Sequence, residues 1–333
     1  MSVRRELAGS VEELVGEGAV RTPFHNDDGK SGSTFERVVI DGERFVLKHM
    51  HVDDDWIARS LGDVGCRPLR VWTAGLLDQV PTGIDHTVVG AAAGLGRNGW
   101  GAALLMRDVG DRLVAEGDAP LSIEEHAGFL DGMARLAARF WGWTDDVGLL
   151  PLATRYSFFG PGMVAVERDL GWPHPLPRLV SQGWERFTGG VPAGTRDLIG
   201  QLRREPWALA AALEATPTTL LHGDWKLGNL GTGADGTTIL LDWAYPGEGP
   251  VGHDLAWYLA LNRARLPESK EAAIDRFRAS LAAHGVDTAG WWERQLDLCL
   301  LGTVVQLGWE KALGDEDELA WWMARARSGA ARL

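Results

Sequence analysis

The hydrophobic pattern of the first fifty residues predicts a helix followed by a two-stranded hairpin. Apolar residues recur at helical spacing between residues 3 and 19, which predicts an amphipathic helix there. Residues 34–40 and 44–49 are short runs of β-branched and aromatic side chains, as is typical of strands. Asp41-Gly42 stands between them and suits a tight hairpin turn, so the two runs are predicted to pair.

The sheet pattern resumes after a helical interruption. Residues 54–77 show helical periodicity, whereas residues 87–92 and 101–106 have the pattern of a second hairpin around Asn98-Gly99. Residues 20–106 are therefore predicted to form a small, mostly antiparallel sheet with one or two helices.

After Arg107 the apolar positions take the 3.6-residue period of helices. Ser122 and Glu125 form a capping-box pattern at the start of one of them. Further helical patterns occupy residues 254–262, 271–283, 292–313 and 316–326. Short strand candidates lie at residues 220–221, 230–232 and 238–241, and residues 143–185 give no assignable pattern. The chain is predicted to be an α+β protein with a sheet-rich lobe over residues 1–107 and a helical lobe over residues 108–333.

Three polar residues stand at the ends of the strand candidates in the second lobe. An apolar run leads into His222-Gly223-Asp224, Asn229 follows five residues after Asp224, and Asp242 ends the next apolar run. Two carboxylates and a carboxamide are thereby expected in one cleft. Oxygen ligands of this kind suit Mg²⁺, at Asn229 and Asp242. Asp224 is then free to orient a hydroxyl nucleophile and to accept its proton.

This spacing resembles the catalytic loop and metal-binding aspartate of protein-kinase-like enzymes. The forms His-Gly-Asp and Leu-Asp-Trp are similar to those of the aminoglycoside phosphotransferase and choline kinase group. The resemblance implies a bilobal protein-kinase-like fold, with a nucleotide-binding lobe over residues 1–107 and a catalytic and substrate-binding lobe over residues 108–333. It also implies that Asp254, in Gly252-His-Asp-Leu-Ala256, braces the catalytic loop by hydrogen bonds.

The resemblance extends to the first lobe, where it implies an ATP site. A phosphate-covering hairpin, a lysine for the α- and β-phosphates and a hinge for the adenine edge are expected. The residues implied are Gly32, Ser33, Thr34, Lys48, Met106 and Asp108. Lys226, two residues after Asp224, is a further candidate catalytic residue that neutralises charge on the transferred phosphoryl group.

The chain departs from the kinase pattern in its first lobe. Its hairpin reads Gly29-Lys-Ser-Gly-Ser-Thr34 instead of Gly-x-Gly-x-x-Gly. No glutamate occurs between residues 49 and 115, so Asp55 or Asp63 is expected to take the place of the glutamate that pairs with the lysine, and the spacing favours Asp63. No activation loop follows Asp242, which favours a small acceptor over a protein substrate.

The composition narrows the class of ligand. The chain has 333 residues with 33 basic and 46 acidic side chains, a formal net charge of −13. Such a charge disfavours nucleic-acid and anionic membrane partners and suits a cationic small molecule. The sequence therefore predicts an ATP- and Mg²⁺-dependent phosphotransferase acting on a hydroxyl of a small cationic acceptor, with an aminoglycoside or other amino sugar as the leading class. The oligomeric state stays open.

Two other functions remain open from the residues alone. The altered hairpin and the missing glutamate also fit a catalytically silent ATP-binding protein. His49-Met-His51-Val-Asp53 resembles part of a metal-hydrolase motif, although Asp54 stands where that motif has its last histidine. The opening residues lack the apolar segment of a signal peptide, and the two cysteines are too few for a disulfide framework, which predicts a cytoplasmic protein.

Overall fold

The computed structural model describes residues 5–25, 31–171 and 175–333. Its strands are β1 (Val20–Phe24), β2 (Thr34–Ile40), β3 (Glu43–Met50), β4 (Ile84–Asp85), β5 (Val88–Leu95), β6 (Gly101–Arg107), β7 (Thr218–Leu221), β8 (Leu230–Thr232), β9 (Thr238–Leu240) and β10 (Gly247–Pro250). Its helices are α1 (Val11–Val15), α2 (Trp56–Ser60), α3 (Arg67–Thr73), α4 (Ile123–Arg139), α5 (Leu152–Ser157), α6 (Pro161–Asp169), α7 (Leu176–Gly190), α8 (Ala193–Arg204), α9 (Trp207–Glu214), α10 (Gly252–Leu261), α11 (Lys270–Ala283), α12 (Trp292–Leu313) and α13 (Glu316–Ala330).

The chain divides into two compact units. The sheet unit contains the described residues up to Asp118, with Val147–Leu149 and Asp224–Pro246. The helical unit contains the rest, from Ala119 to Leu333. The sequence placed the lobe boundary at residue 107 and kept the catalytic loop with the helices. Packing instead groups that loop with the sheet unit, because β9 pairs with β4 in parallel and β8 pairs with β9.

The sheet unit is built on an antiparallel sheet in the order β1-β2-β3-β6-β5. Both predicted hairpins, β2–β3 and β5–β6, are confirmed. Asp41 and Gly42 have φ angles of 51° and 85°, as the tight turn requires. Strand β1 was not predicted, since Pro23 argues against an interior strand. It lies at the edge of the sheet, where a missing N–H is tolerated.

The predicted helix over residues 3–19 is wrong in its length. Helix α1 spans only Val11–Val15, with Ser10 as its N-cap and Gly16 as its C-cap. Before it, Ala8 hydrogen-bonds to the backbone beside Ala92 in β5, so the chain there is extended. Val11 and Val15 pack on one face of the sheet, against a core that also contains Val38, Leu47, Ala92, Ala103 and Leu105.

The segment predicted as helical over residues 54–77 contains two short helices, as the prediction of one or two helices allowed. Helix α2 ends at Ser60, and Gly62 with φ 64° turns the chain before α3 begins at Arg67. A left-handed residue ends a helix readily when it is glycine. The two helices lie on the opposite side of β3 from α1, because Lys48 and residues of α2 and α3 line the same cavity.

The helical unit is organised around α12, which is buried on nearly all sides. It packs against α7, α10 and α13, and a helix that is apolar all round is expected in such a central position. Gly183 of α7 lies against the backbone carbonyl of Trp309, where a Cβ atom would overlap it, so glycine permits this close crossing. None of the described helices is long and apolar enough to cross a membrane.

The remaining predicted elements of this half of the chain are confirmed. The capping box of α4 is formed by Ser122 and Glu125. The strand candidates correspond to β7, β8 and β9, and the helical patterns correspond to α10–α13. The unassigned stretch from 143 to 185 contains α5, α6 and the start of α7.

Candidate active site

The loop after β7 is held in place by the buried carboxylate of Asp254. Asp254, on α10 of the helical unit, accepts backbone hydrogen bonds from the N–H groups of His222 and Gly223, both at 2.9 Å. The ring of His222 is fully buried. The predicted bracing role of Asp254 is confirmed, because both amides directly before Asp224 are held by one side chain. Charge-assisted bonds to a buried carboxylate are among the stronger hydrogen bonds in proteins.

Asp224 is buried and contacts two residues that follow it. The amide nitrogen of Asn229 donates to Asp224 Oδ2 at 2.8 Å and to its backbone oxygen at 3.0 Å. The ammonium of Lys226 lies 3.0 Å from the same Oδ2. With its nitrogen facing Asp224, the planar amide of Asn229 directs its oxygen to the other side.

Asp242 is brought to Lys48 by the strand that precedes it. The N–H of Leu241 donates to the backbone oxygen of Asn229 at 2.9 Å, which ties the end of β9 to the catalytic loop. Asp242 follows with φ 61°, a left-handed conformation that is rare outside glycine and costs free energy. Its Oδ1 then lies 2.8 Å from Lys48 Nζ on β3.

Lys48, Asn229 and Asp242 line one cavity of about 300 Å³ in the sheet unit. Met106 and Asp108, from the predicted hinge, line it as well. Its walls are otherwise mostly apolar, with Val46, Val88, Leu104, Leu241 and Trp243 among them. A largely apolar cavity of this size with a few convergent polar groups is the usual form of a small-molecule site.

None of the three candidate residues of the predicted phosphate hairpin, Gly32, Ser33 and Thr34, lines this cavity. Ser33 lines a small cavity of about 40 Å³ together with Lys48 and Asp242. Gly32 and Thr34 instead line a third cavity. Gly32 lies against the carbonyl oxygen of Asp54, where a Cβ atom would overlap it. The earlier hairpin residues Gly29 and Lys30 lie outside the described residues.

Neither candidate carboxylate forms an ion pair with Lys48. Asp63, the favoured candidate, accepts the N–H of Arg67 at 2.9 and 3.0 Å and lies 3.7 Å from its guanidinium. Asp55 caps α2 by accepting the N–H groups of Ile57 and Ala58. Burial raises the pKa of Asp55, while the cap and the positive charge of Lys48 act in the opposite direction. Of the two candidates, Asp55 is therefore the one whose pKa the charge of Lys48 affects.

Sequence reasoning missed three residues of this region. Phe35 and Arg37 line the large cavity because they lie two residues apart on β2 and so face the same side of the sheet as Lys48. The sequence alone could not show this, because it depends on the register between β2 and β3. Tyr245 lines the small cavity beside Lys48. Burial raises its pKa well above the usual value, and the carboxylate of Asp55 adds to that shift. No pattern in the sequence pointed to Tyr245.

The residues of the metal-hydrolase alternative line one cavity but have other partners there. His49 Nε2 lies 2.7 Å from Glu36, and His51 Nδ1 accepts the backbone N–H of Asp53 at 3.1 Å. Across residues 5–25, 31–171 and 175–333, no group of three or more His, Cys, Asp or Glu side chains is placed to hold a metal ion. The described residues thus give this alternative no support.

The sequence model of the phosphotransferase enzyme family matches residues 26–291, so the chain belongs to that family. The prediction of a small-molecule kinase, an enzyme that transfers a phosphoryl group, is confirmed. No protein of curated function matches the sequence significantly.

Solved structures of kinases share the fold. Amicoumacin kinase hAmiN in complex with AMP-PNP, Ca²⁺ and Ami is similar at 13% identity and a TM-score of 0.54, over 98% of this chain and 90% of that one. A microcompartment-associated aminopropanol kinase is similar at 15% identity and a TM-score of 0.53, over 95% of this chain and 92% of that one. LicA in complex with AMP is similar at 9% identity and a TM-score of 0.53, over 96% of this chain and 95% of that one. The predicted protein-kinase-like α+β fold, with a small antiparallel sheet and a mostly helical remainder, is confirmed.

Proposed function

We propose that this phosphotransferase uses ATP and Mg²⁺ to phosphorylate a hydroxyl group of a small cationic molecule, an aminoglycoside or another amino sugar. The observation that carries the proposal is the meeting of Lys48, Asn229 and Asp242 at one cavity, with Asn229 hydrogen-bonded to Asp224. A lysine for phosphates, two oxygen ligands for a metal and a carboxylate base are the parts that phosphoryl transfer needs.

The nucleotide site assigns separate roles to the charged residues of the cavity. Lys48 binds the α- and β-phosphates as a compact point charge. The oxygen atoms of Asn229 and Asp242 are hard ligands that fit Mg²⁺, and both residues line the cavity. When bound, Mg²⁺ supplies neutralisation of the phosphate charge. Met106 and Asp108, which also line the cavity, are assigned to the end that takes the base. The nucleotides bound to hAmiN and LicA support this assignment.

Asp224 is the proposed base. The acceptor hydroxyl donates its proton to the Asp224 carboxylate as its oxygen forms a bond to the γ-phosphorus, while the bond from that phosphorus to ADP breaks. Lys226 holds the carboxylate at 3.0 Å and places a positive charge beside the transferred group. Asn229 keeps the carboxylate oriented through its 2.8 Å hydrogen bond.

The acceptor class is supported by charge. A protein of net charge −13 attracts cations and repels anions at long range. One relative in fold is named as a kinase of aminopropanol, an amino alcohol. The phosphoryl acceptor of the proposal, a hydroxyl on a molecule that carries an amine, has the same two groups.

The test is ADP release with Mg-ATP across a panel of aminoglycosides, amino sugars, cholines and macrolides. We expect release that depends on an amine-bearing acceptor. Asp224→Asn should lower kcat about 10²- to 10⁴-fold with little change in the Kd of ATP. The matched control is Asp235→Asn, since Asp235 is an exposed residue of the turn between β8 and β9.

Three results would contradict the proposal. Near-normal turnover of Asp224→Asn would show that Asp224 is not the catalytic base. Release that requires a macrolide without an amine would overturn the cationic acceptor class. Tight ATP binding without release for any acceptor would favour the catalytically silent nucleotide-binding protein.

A further inference from the structure

We propose that Arg37 covers the purine ring of the bound nucleotide, with its guanidinium lying flat on the base and supported from behind by the ring of Phe24. This inference rests on the proposed nucleotide site and adds to it a residue that binds the base.

The strand register places Arg37 at the base end of the cavity. Arg37 pairs with Val46, and Val46 pairs on its other side with Met106 of the hinge. Phe35 pairs with Lys48, two residues further along the strand and toward the phosphate end. Two residues of a strand span about 7 Å, so the guanidinium of Arg37 and the ammonium of Lys48 serve different parts of a nucleotide.

The guanidinium of Arg37 is held by an aromatic ring. Its Cζ lies 4.5 Å from the centroid of the Phe24 ring. Phe24 in turn contacts Phe35, at 5.7 Å between ring centroids. All three side chains line the large cavity.

The charge of Arg37 is unpaired, in contrast to that of its neighbours. Arg21 on the adjacent strand binds Glu36 and Glu12, and Arg107 of the cavity wall binds Asp85. Within the described part of the chain, the side chain of Arg37 contacts Phe24 and makes no ion pair or hydrogen bond. Its charge is therefore available to a ligand in the cavity.

The chemistry of the group favours a base over a phosphate as its partner. A guanidinium is planar and weakly hydrated, so it stacks on aromatic faces, and every purine presents such a face. A second face of the Arg37 plane remains once Phe24 covers the first. The result is a layered arrangement of aromatic ring, guanidinium and purine, in which each contact is a cation–π interaction.

The experiment compares the Kd of adenosine, AMP and ADP by calorimetry for the wild-type protein, Arg37→Met and Arg37→Lys. We expect a three- to tenfold rise in Kd that is the same for all three ligands, because the lost contact is to the part they share. Arg37→Lys should recover little, since an ammonium does not stack as a plane. The matched control is Arg204→Met, which removes one exposed positive charge from α8 of the helical unit.

The outcomes separate this inference from the proposed function. An unchanged Kd in both variants would overturn the role of Arg37 alone. A loss that grows from adenosine to ADP and weakens with salt would show that Arg37 binds phosphate, which also overturns it. A wild-type protein that binds none of the three ligands would overturn the nucleotide site itself.

Discussion

Lys48 Nζ and Asp242 Oδ1 lie 2.8 Å apart although 194 positions separate the two residues in the sequence. Lys48 is almost fully buried, whereas the Asp242 side chain is about a quarter exposed, at 27%. The two groups proposed to bind phosphate and metal thus neutralise each other. Under the proposed function, binding of nucleotide and metal would exchange this one ion pair for two new ones, lysine with phosphate and aspartate with Mg²⁺.

Removing the charge of Lys48 should therefore weaken nucleotide binding. We expect Lys48→Met to raise the Kd of ADP about 10- to 100-fold, because a charge-assisted hydrogen bond to a phosphate contributes about 1.5–3 kcal/mol. Lys48→Arg keeps the charge and should show a smaller rise. Calorimetric titration measures both, and equal losses in the two variants would argue that shape at this position matters more than charge.

Asp55 and Asp63 should differ in what their loss affects. Asp55→Asn retains the cap of α2, because asparagine caps as well as aspartate, but removes a negative charge that interacts electrostatically with Lys48. We expect kcat/KM for ATP to fall about three- to tenfold, an effect of roughly 1 kcal/mol. The measurement is steady-state kinetics at saturating acceptor.

Asp63→Asn serves as the comparison for Asp55→Asn. It removes the ion-pair partner of the buried Arg67. We expect a loss of stability of about 1–3 kcal/mol with unchanged nucleotide kinetics. A larger kinetic effect for Asp63→Asn than for Asp55→Asn would reverse the assignment of the carboxylate that acts on Lys48.

Gly32→Ala should displace the hairpin that precedes β2. The new Cβ atom overlaps the carbonyl oxygen of Asp54, a backbone atom that cannot rotate away. We expect the KM for ATP to rise, since Ser33, which lines the small cavity with Lys48, moves with Gly32. The matched control is Gly128→Ala on α4, where a Cβ meets no atom within 4 Å. Equal KM values in the two variants would show that the hairpin does not act on ATP.

Stability should fall as the pH drops below neutrality, because His253 is buried. Complete burial holds the pKa of His253 well below its usual value, and the charge of Arg155 adds to this. The neutral ring is therefore favoured in the folded state. The stability it contributes is present above the unfolded pKa of about 6.5 and is lost as the pH falls, by up to about 1.4 kcal/mol per unit.

His253→Phe tests this pH dependence. We expect a shallower decline of unfolding temperature between pH 7 and pH 5 than in the wild-type protein, since the variant cannot bind the proton. Exposed His25 provides the control substitution, His25→Phe. An unchanged slope in His253→Phe would assign the pH dependence to other groups, among them His126, whose pKa is also lowered by burial.

Local signals made much of the fold predictable. The hairpin turn depends on two adjacent residues, Asp41 and Gly42, and the start of α4 depends on Ser122 and Glu125, which lie within a stretch of four residues. Strand β1 was not predicted because Pro23 interrupts the strand pattern, although proline is tolerated at the edge of the sheet, where β1 lies. The N-cap residues of α5, α6 and α7 are Pro151, Gly160 and Pro175, none of which makes a side-chain cap, so the starts of these helices carry no capping signal.

The site was predictable in its residues and not in its pairings. Asp224, Asn229 and Asp242 stood out because their spacing is itself the signal, although their roles remain predictions. The pairing of Lys48 with Asp242 could not be predicted, because the two residues are 194 positions apart and meet only through the packing of β9. The partner of Asp63 was not predictable either: its carboxylate accepts the backbone N–H of Arg67, at the start of α3.

The grouping of Asp224–Pro246 with the sheet unit has a consequence for synthesis of the chain. Ile84 of β4 pairs with Thr238 of β9, which a ribosome reaches more than 150 residues later, roughly 10–30 s at common elongation rates. Until then the large cavity lacks the wall formed by Asn229, Leu241 and Asp242. A nascent chain that ends before Asp242 therefore lacks part of the proposed nucleotide site, and that site is complete only after residues 224–246 have been synthesised.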